Sequence, residues 1–121
     1  MTAIARFSLA AIDTGDTEGL ARFYSAITGW EVEDHPDPGW VQLVSDTGAT
    51  IAFQQVPEHV PPVWPGNEHP QQMHLDFDVE DLDEGERAVL ALGAVKAEHQ
   101  PGATWRVFID PSGHPFCLVQ A

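Results

Sequence analysis

The chain runs twice through one order of elements: strand, helix, strand, strand, strand. Few folds accommodate that order twice in 121 residues. In the first pass Arg6 to Ile12 reads as a short apolar strand, with Phe7, Leu9 and Ala11 on one face. Asp13-Thr14-Gly15-Asp16 is a turn, and Asp16 is placed to cap a helix. Glu18 follows in the first turn, where the helix dipole favours an acid. Leu20, Phe23, Tyr24 and Ile27 recur at i, i+3, i+4 and i+7, one apolar stripe, and Gly29 ends it. Trp30 to Asp34, Trp40 to Val44 and Thr50 to Val56 are strands, parted by His35-Pro36-Asp37-Pro38-Gly39 and Asp46-Thr47-Gly48.

The second pass opens on Met73-His74-Leu75-Asp76-Phe77-Asp78-Val79, which alternates apolar and polar without a break. Met73, Leu75, Phe77 and Val79 share one face, and His74, Asp76 and Asp78 share the other. Asp81 and Glu84 form a capping pair before a helix with Leu82, Gly85, Val89 and Leu92 as its buried stripe, Ala88 filling in, and Gly93 at its end. Ala94 to Glu98, Thr104 to Ile109 and Phe116 to Gln120 complete the set, with Asp110-Pro111-Ser112-Gly113 as the last turn. The halves match at about 65 residues, Gly29 answering Gly93 and Arg22 roughly answering Arg87. Between them, residues 57–71 carry five of the ten prolines and read as a stiff linker. The expected organisation is a single domain: a module over about residues 4–56, the linker, and a module over about residues 72–121.

Charge narrows the partners. Nineteen acids face five basic residues, a net charge of −14. Nucleic acid and anionic membranes are repelled, and a neutral or cationic small molecule suits the field better. One cysteine excludes an internal disulfide and fits a reducing cytoplasm. No secretory signal is legible at the start, and no apolar run approaches the ~20 residues of a membrane span.

With L-A-R-F-Y-S-A-I-T-G-W after the first strand, H-P-Q-Q-M-H-L-D-F-D-V from His69 to Val79, and F-I-D-P-S-G-H-P-F-C-L at the end, the chain resembles the glyoxalase/bleomycin-resistance/dioxygenase superfamily. That group is also called vicinal oxygen chelate, and the chain looks like its glyoxalase-like branch. The resemblance implies an α+β fold: two βαβββ modules forming a curved mixed sheet around a central cavity, helices outside. It also implies a homodimer. In metal-using members a divalent ion is held by a His on strand one, a Glu or Gln on strand four, a His on strand five and a Glu on strand eight.

Carried over residue by residue, strand five matches at His74. The strand-one position falls near Leu9, within Ser8 to Ala10, none of them a strong ligand. The strand-eight acid falls on Cys117, and its partner on strand four falls on Ala52, with Gln54 two residues on. An imidazole, an amide and a thiol make a poor set for a divalent ion, so no family-type metal centre is expected; if one were present, His74 and Gln54 would serve it.

The expected function is therefore binding of a small organic ligand in a pocket lined by Gln54, His74, Asp76, Trp64, Arg106 and Cys117. The alternative is a lyase, isomerase or dioxygenase-type enzyme, with His74 as acid–base catalyst or as ligand to a divalent metal. The plainer reading makes His74 a histidine hydrogen-bonded to Asp76, Cys117 an apolar filler, Arg106 an exposed strand residue, and Trp40, Phe53 and Trp105 core.

Overall fold

In a computed structural model of the chain, residue 3 and residues 6–121 are described. Strand β1 spans Ala10–Thr14, helix α1 Thr17–Thr28, β2 Glu31–Asp34, β3 Trp40–Val44 and β4 Thr50–Gln55. Strand β5 spans Leu75–Val79, helix α2 Leu82–Ala91, β6 Val95–Lys96, β7 Trp105–Ile109 and β8 Pro115–Gln120. They form two open four-stranded sheets, ordered β1-β4-β3-β2 and β5-β8-β7-β6. In each sheet the first strand runs parallel to the last and the remaining pairs are antiparallel. This is the α+β pair of βαβββ modules. The chain divides into two compact units, with the boundary along the sequence between His59 and Val60. No helix among the described residues is long and apolar enough to cross a membrane.

The repeat is stricter in space than in letters, at a spacing of 65 residues. Asp16 accepts a hydrogen bond from the Gly19 amide at the start of α1, and Asp81 accepts from the Asp83 and Glu84 amides at the start of α2. Gln55 Nε2 donates to the Gly15 carbonyl at 2.6 Å, and Gln120 Nε2 donates to the Glu80 carbonyl. The Val56 amide bonds Thr14, and the Ala121 amide bonds Val79, both at 2.9 Å. Each unit thus ties the end of its last strand to the entrance of its own helix.

In the first unit, α1 buries Leu20, Phe23 and Tyr24 against the sheet, and Tyr24 stacks on Phe53 at 5.9 Å between ring centres. Gly29 closes the helix with φ 74°, its amide bonding Ser25. Strand β1 departs from expectation. It begins at Ala10, not Arg6, and it buries Ile12 and Thr14, whereas Phe7 is 83% exposed and Ala11 is exposed. Ile12 stands in register with Phe53. Because Phe53 meets α1, the even-numbered residues turn toward the helix, and the face chosen from Phe7, Leu9 and Ala11 is the other one.

In the second unit, Phe116 stacks on Phe108, meets Phe77 edge-on, and is fully buried. Helix α2 buries Leu82 and Val89, but Ala88 and Leu92, expected in its stripe, are exposed. The cause is a closer approach to the sheet. A Cβ at Gly85 would stand 3.1 Å from Leu118 Cδ1 and 3.2 Å from Val79 Cγ1, at the place where α1 carries Leu20. A helix seated that close covers its sheet with fewer side chains. Two further boundaries shift. Strand β6 is only Val95–Lys96, and β5 starts at Leu75, leaving His74 one residue ahead of it and Met73 51% exposed.

The proline-rich stretch belongs largely with the second unit rather than standing as a free connector. The Val63 amide bonds the His69 carbonyl at 2.7 Å. Pro61 lies against Gly113, and the Trp64 ring lies 5.5 Å from that of His99.

Candidate functional site

Alternation along β5 and register with β8 decide which side chains meet. In-register neighbours on paired strands share a face. Leu75 stands beside Phe116, and Phe77 beside Leu118, on the side that α2 covers. Asp76 stands beside Cys117, and Cys117 beside Val107, on the other side. The next row on that side is Asp78, Val119 and Trp105.

His74 reaches the same face. Its Nε2 lies 3.2 Å from Asp76 Oδ1, with side-chain exposures of 41% and 58%. The ligating atoms of His74, Asp76 and Cys117 all lie within 4.8 Å of one another. Cys117 is buried, and its thiol pKa is pushed up to about 11. Burial is the main cause, and the charge of Asp76 and the hydrogen bond to its carboxylate add to it. At neutral pH this sulfur is therefore a hydrogen-bond donor to Asp76 and not a thiolate nucleophile.

The first unit shows what the fold itself requires at these places. The residues 65 positions earlier are Leu9, Ala11 and Ala52, and Ala11 stands beside Ala52 as Asp76 stands beside Cys117. The strand pairing therefore holds with Ala11 beside Ala52 as well as with Asp76 beside Cys117.

The other expected pocket residues are placed differently. Arg106 stands beside Leu118, on the α2 side of its sheet. Its Nη2 meets Asp83 Oδ1 at 2.9 Å and its Nη1 meets Glu86 Oε1 at 3.2 Å. It is a helix–sheet tie on the face opposite Cys117, because residue 106 has the parity of 108 and not of 107. Trp64 packs against His99. Gln54 is exposed on β4 in the first unit, in register with Asp13 and Trp40. Trp40 is not core: it is half-buried on the face away from α1, and its Nε1 donates to Gln42 Oε1 at 2.8 Å. Trp105 occupies the same place in the second sheet. The pairing of 40 with 42 on one strand face is a signal the sequence carries, and it is weaker than the pull to bury a tryptophan.

The donors implied by the resemblance do not assemble into a family-type set. The strand-one position is Leu9, the strand-four position is Ala52, and the strand-eight carboxylate is replaced by a protonated thiol. Ions that prefer carboxylate oxygen find one acid here, Asp76, and it is already shared between His74 and Cys117.

A family model described as "Glyoxalase-like domain" matches residues 10–119. Among solved structures, the chain is similar to a glyoxalase/bleomycin resistance protein/dioxygenase family enzyme from Burkholderia phytofirmans PsJN, at 21% identity and a TM-score of 0.67, covering 93% of this chain and 96% of that one. It is similar to the fosfomycin resistance protein FosX from Mesorhizobium loti, at 17% identity and a TM-score of 0.70, covering 98% and 94%. It is also similar to TnmS3, an antibiotic binding protein from Streptomyces sp. CB03234, at 20% identity and a TM-score of 0.63, covering 99% and 98%. At these identities the likeness is one of fold. No curated protein matches the chain.

Proposed function

We propose that this chain, which belongs to the glyoxalase-like domain family, binds a small neutral or cationic organic molecule and needs no family-type metal centre to do so. One observation carries the reading. The face of the second sheet opposite α2 carries the exposed carboxylates of Asp76 and Asp78 and the half-buried indole of Trp105, with Val119 between Asp78 and the indole. An indole face attracts a cation, and carboxylates on the same sheet face add a field of the favourable sign. The overall charge of −14 raises the local concentration of such a ligand. Similarity to an antibiotic binding protein and to a fosfomycin resistance protein supports a small-molecule role for the fold.

The test is binding of proflavine, a planar aromatic cation, measured by thermal shift and calorimetry in the presence of chelator. Binding raises apparent stability by mass action. The expected result is a shift with proflavine and none with anionic fosfomycin, weakened in Trp105→Ala and in Asp78→Asn. Absence of any shift, or a shift that appears only after Mn²⁺ is added, overturns the proposal.

The 3.2 Å contact between His74 Nε2 and Asp76 Oδ1 supports a second reading, a lyase, isomerase or dioxygenase-type enzyme with His74 moving the proton. An imidazole oriented by a carboxylate is suited to acid–base catalysis, which contributes on the order of 10²–10⁴ in rate. Turnover that falls by that factor in His74→Ala, with ligand affinity retained, would select this reading. Homodimer formation is proposed with either, and a monomer in sedimentation velocity removes it.

A further inference from the structure

We infer that the first unit carries its own binding row for a planar aromatic cation, complete without the row on the second unit, so that one chain takes up two such molecules. This rests on the ligand proposal above and extends it from one unit to the other.

Register places the row. On the face away from α1, Asp13 of β1 stands beside Gln54 of β4, and Gln54 stands beside Trp40 of β3. The residues 65 positions later are Asp78, Val119 and Trp105, in the same order on β5, β8 and β7. Adjacent strands lie about 4.8 Å apart, so acid and indole are rooted roughly 10 Å apart with one side chain between them. A planar three-ring cation bridges that span, its π-face at the indole and its charge in the field of the carboxylate.

The fold does not dictate these letters. The neighbouring row on the same face changes throughout, from Ala11, Ala52 and Gln42 to Asp76, Cys117 and Val107. Other letters shared at this spacing have a backbone duty. Asp16 and Asp81 cap helices, Gly48 and Gly113 turn at positive φ, and Gln55 and Gln120 tie a strand end to a helix entrance. Aspartate is disfavoured in strands, and here it recurs at the same end of both rows. In the first unit Asp13 is exposed and Trp40 half-buried, both open to a ligand. The indole is held before a ligand arrives: its Nε1 donates to Gln42 at 2.8 Å, and the His35 ring lies 6.3 Å away. The middle residue sets a difference between the rows. Gln54 offers an amide where the second unit has Val119, so the first row favours a cation with an N–H at its midpoint. Protonated proflavine carries its ring N–H there.

The experiment titrates the full chain with proflavine in chelator and reads stoichiometry by calorimetry. Two equivalents are expected for the wild type. One of the two should weaken by about tenfold in Trp40→Ala and by about threefold in Asp13→Asn and Gln54→Leu, while the other is unchanged. Asp13 is exposed, so Asp13→Asn keeps the test valid if Trp40→Ala fails to fold, and circular dichroism checks both. In Trp105→Ala one equivalent should remain, sensitive to Asp13→Asn. A single equivalent lost in Trp105→Ala and indifferent to Asp13→Asn overturns the first-unit row and leaves the ligand proposal standing. A single equivalent weakened by substitution in either unit also overturns it, since one molecule then occupies both rows. A single equivalent kept in Trp105→Ala and lost in Trp40→Ala upholds the first-unit row and overturns the ligand proposal for the second. Uptake that no substitution alters overturns both.

Discussion

Cys117 stands directly beside Asp76 in the parallel pairing of β5 and β8, and burial together with that carboxylate keeps its thiol protonated to a pKa of about 11. The pairing makes Asp76 the hub of the polar face, in contact with His74 on one side and the thiol on the other.

Removing the charge at this hub should release the thiol. Asp76→Asn takes away the repulsion and the ionic hydrogen bond but leaves the burial, which is the larger cause. The thiol pKa is expected to fall part of the way from about 11 toward its ordinary 9.0. The rate of alkylation by iodoacetamide against pH measures it. An unchanged profile would show that Asp76 does not act on the sulfur.

The same thiol makes stability depend on alkaline pH. Its folded pKa lies above the ordinary value, so between about 9 and about 11 the folded chain holds a proton that the unfolded chain has lost. Stability from this group is complete below that window and declines as pH rises through it. Urea midpoints of the wild type should drop more steeply across the window than those of Cys117→Ala.

Arg106 should matter to the helix and not to the ligand face. Its pairs with Asp83 and Glu86 are partly exposed and screened by solvent, so Arg106→Ala is expected to lower the urea midpoint only slightly, with ligand binding unchanged. Glu86 is held below its ordinary 4.5 chiefly by its hydrogen bond to Lys96, with the charges of Lys96 and Arg106 adding to this. A lowered carboxylate pKa stabilises above the unfolded value and ceases to do so as pH falls through the folded one. Lys96→Ala should therefore flatten the acid limb of the stability curve near and below pH 4.5.

The two helices should respond oppositely to the same side chain. Leu20→Ala removes a buried leucine from α1 and is expected to cost about 2–5 kcal/mol. Gly85→Leu places one at the matching point of α2, against Leu118 and Val79, and is expected to cost about 1–3 kcal/mol through overpacking. Chemical denaturation compares them. Stabilisation by Gly85→Leu would show that α2 can move off its sheet.

Helix caps, turns and the doubled element order were legible in the sequence because each is set by residues within a few positions. Asp16, Asp81, Gly29 and the alternation of β5 act locally. What escaped it depends on parity relative to a neighbouring strand. That Ile12 and not Ala11 turns toward α1 is fixed by pairing with Phe53, 41 residues away. That Arg106 joins α2 while Val107 lies beside Cys117 is fixed by β8. The sequence by itself determined two βαβββ units and a histidine on the polar side of the central alternation. Only the tertiary structure decided that Asp76 and Cys117 share that side with it, because a strand's own letters set the period of its side chains while its hydrogen-bonded neighbour sets which residues stand together.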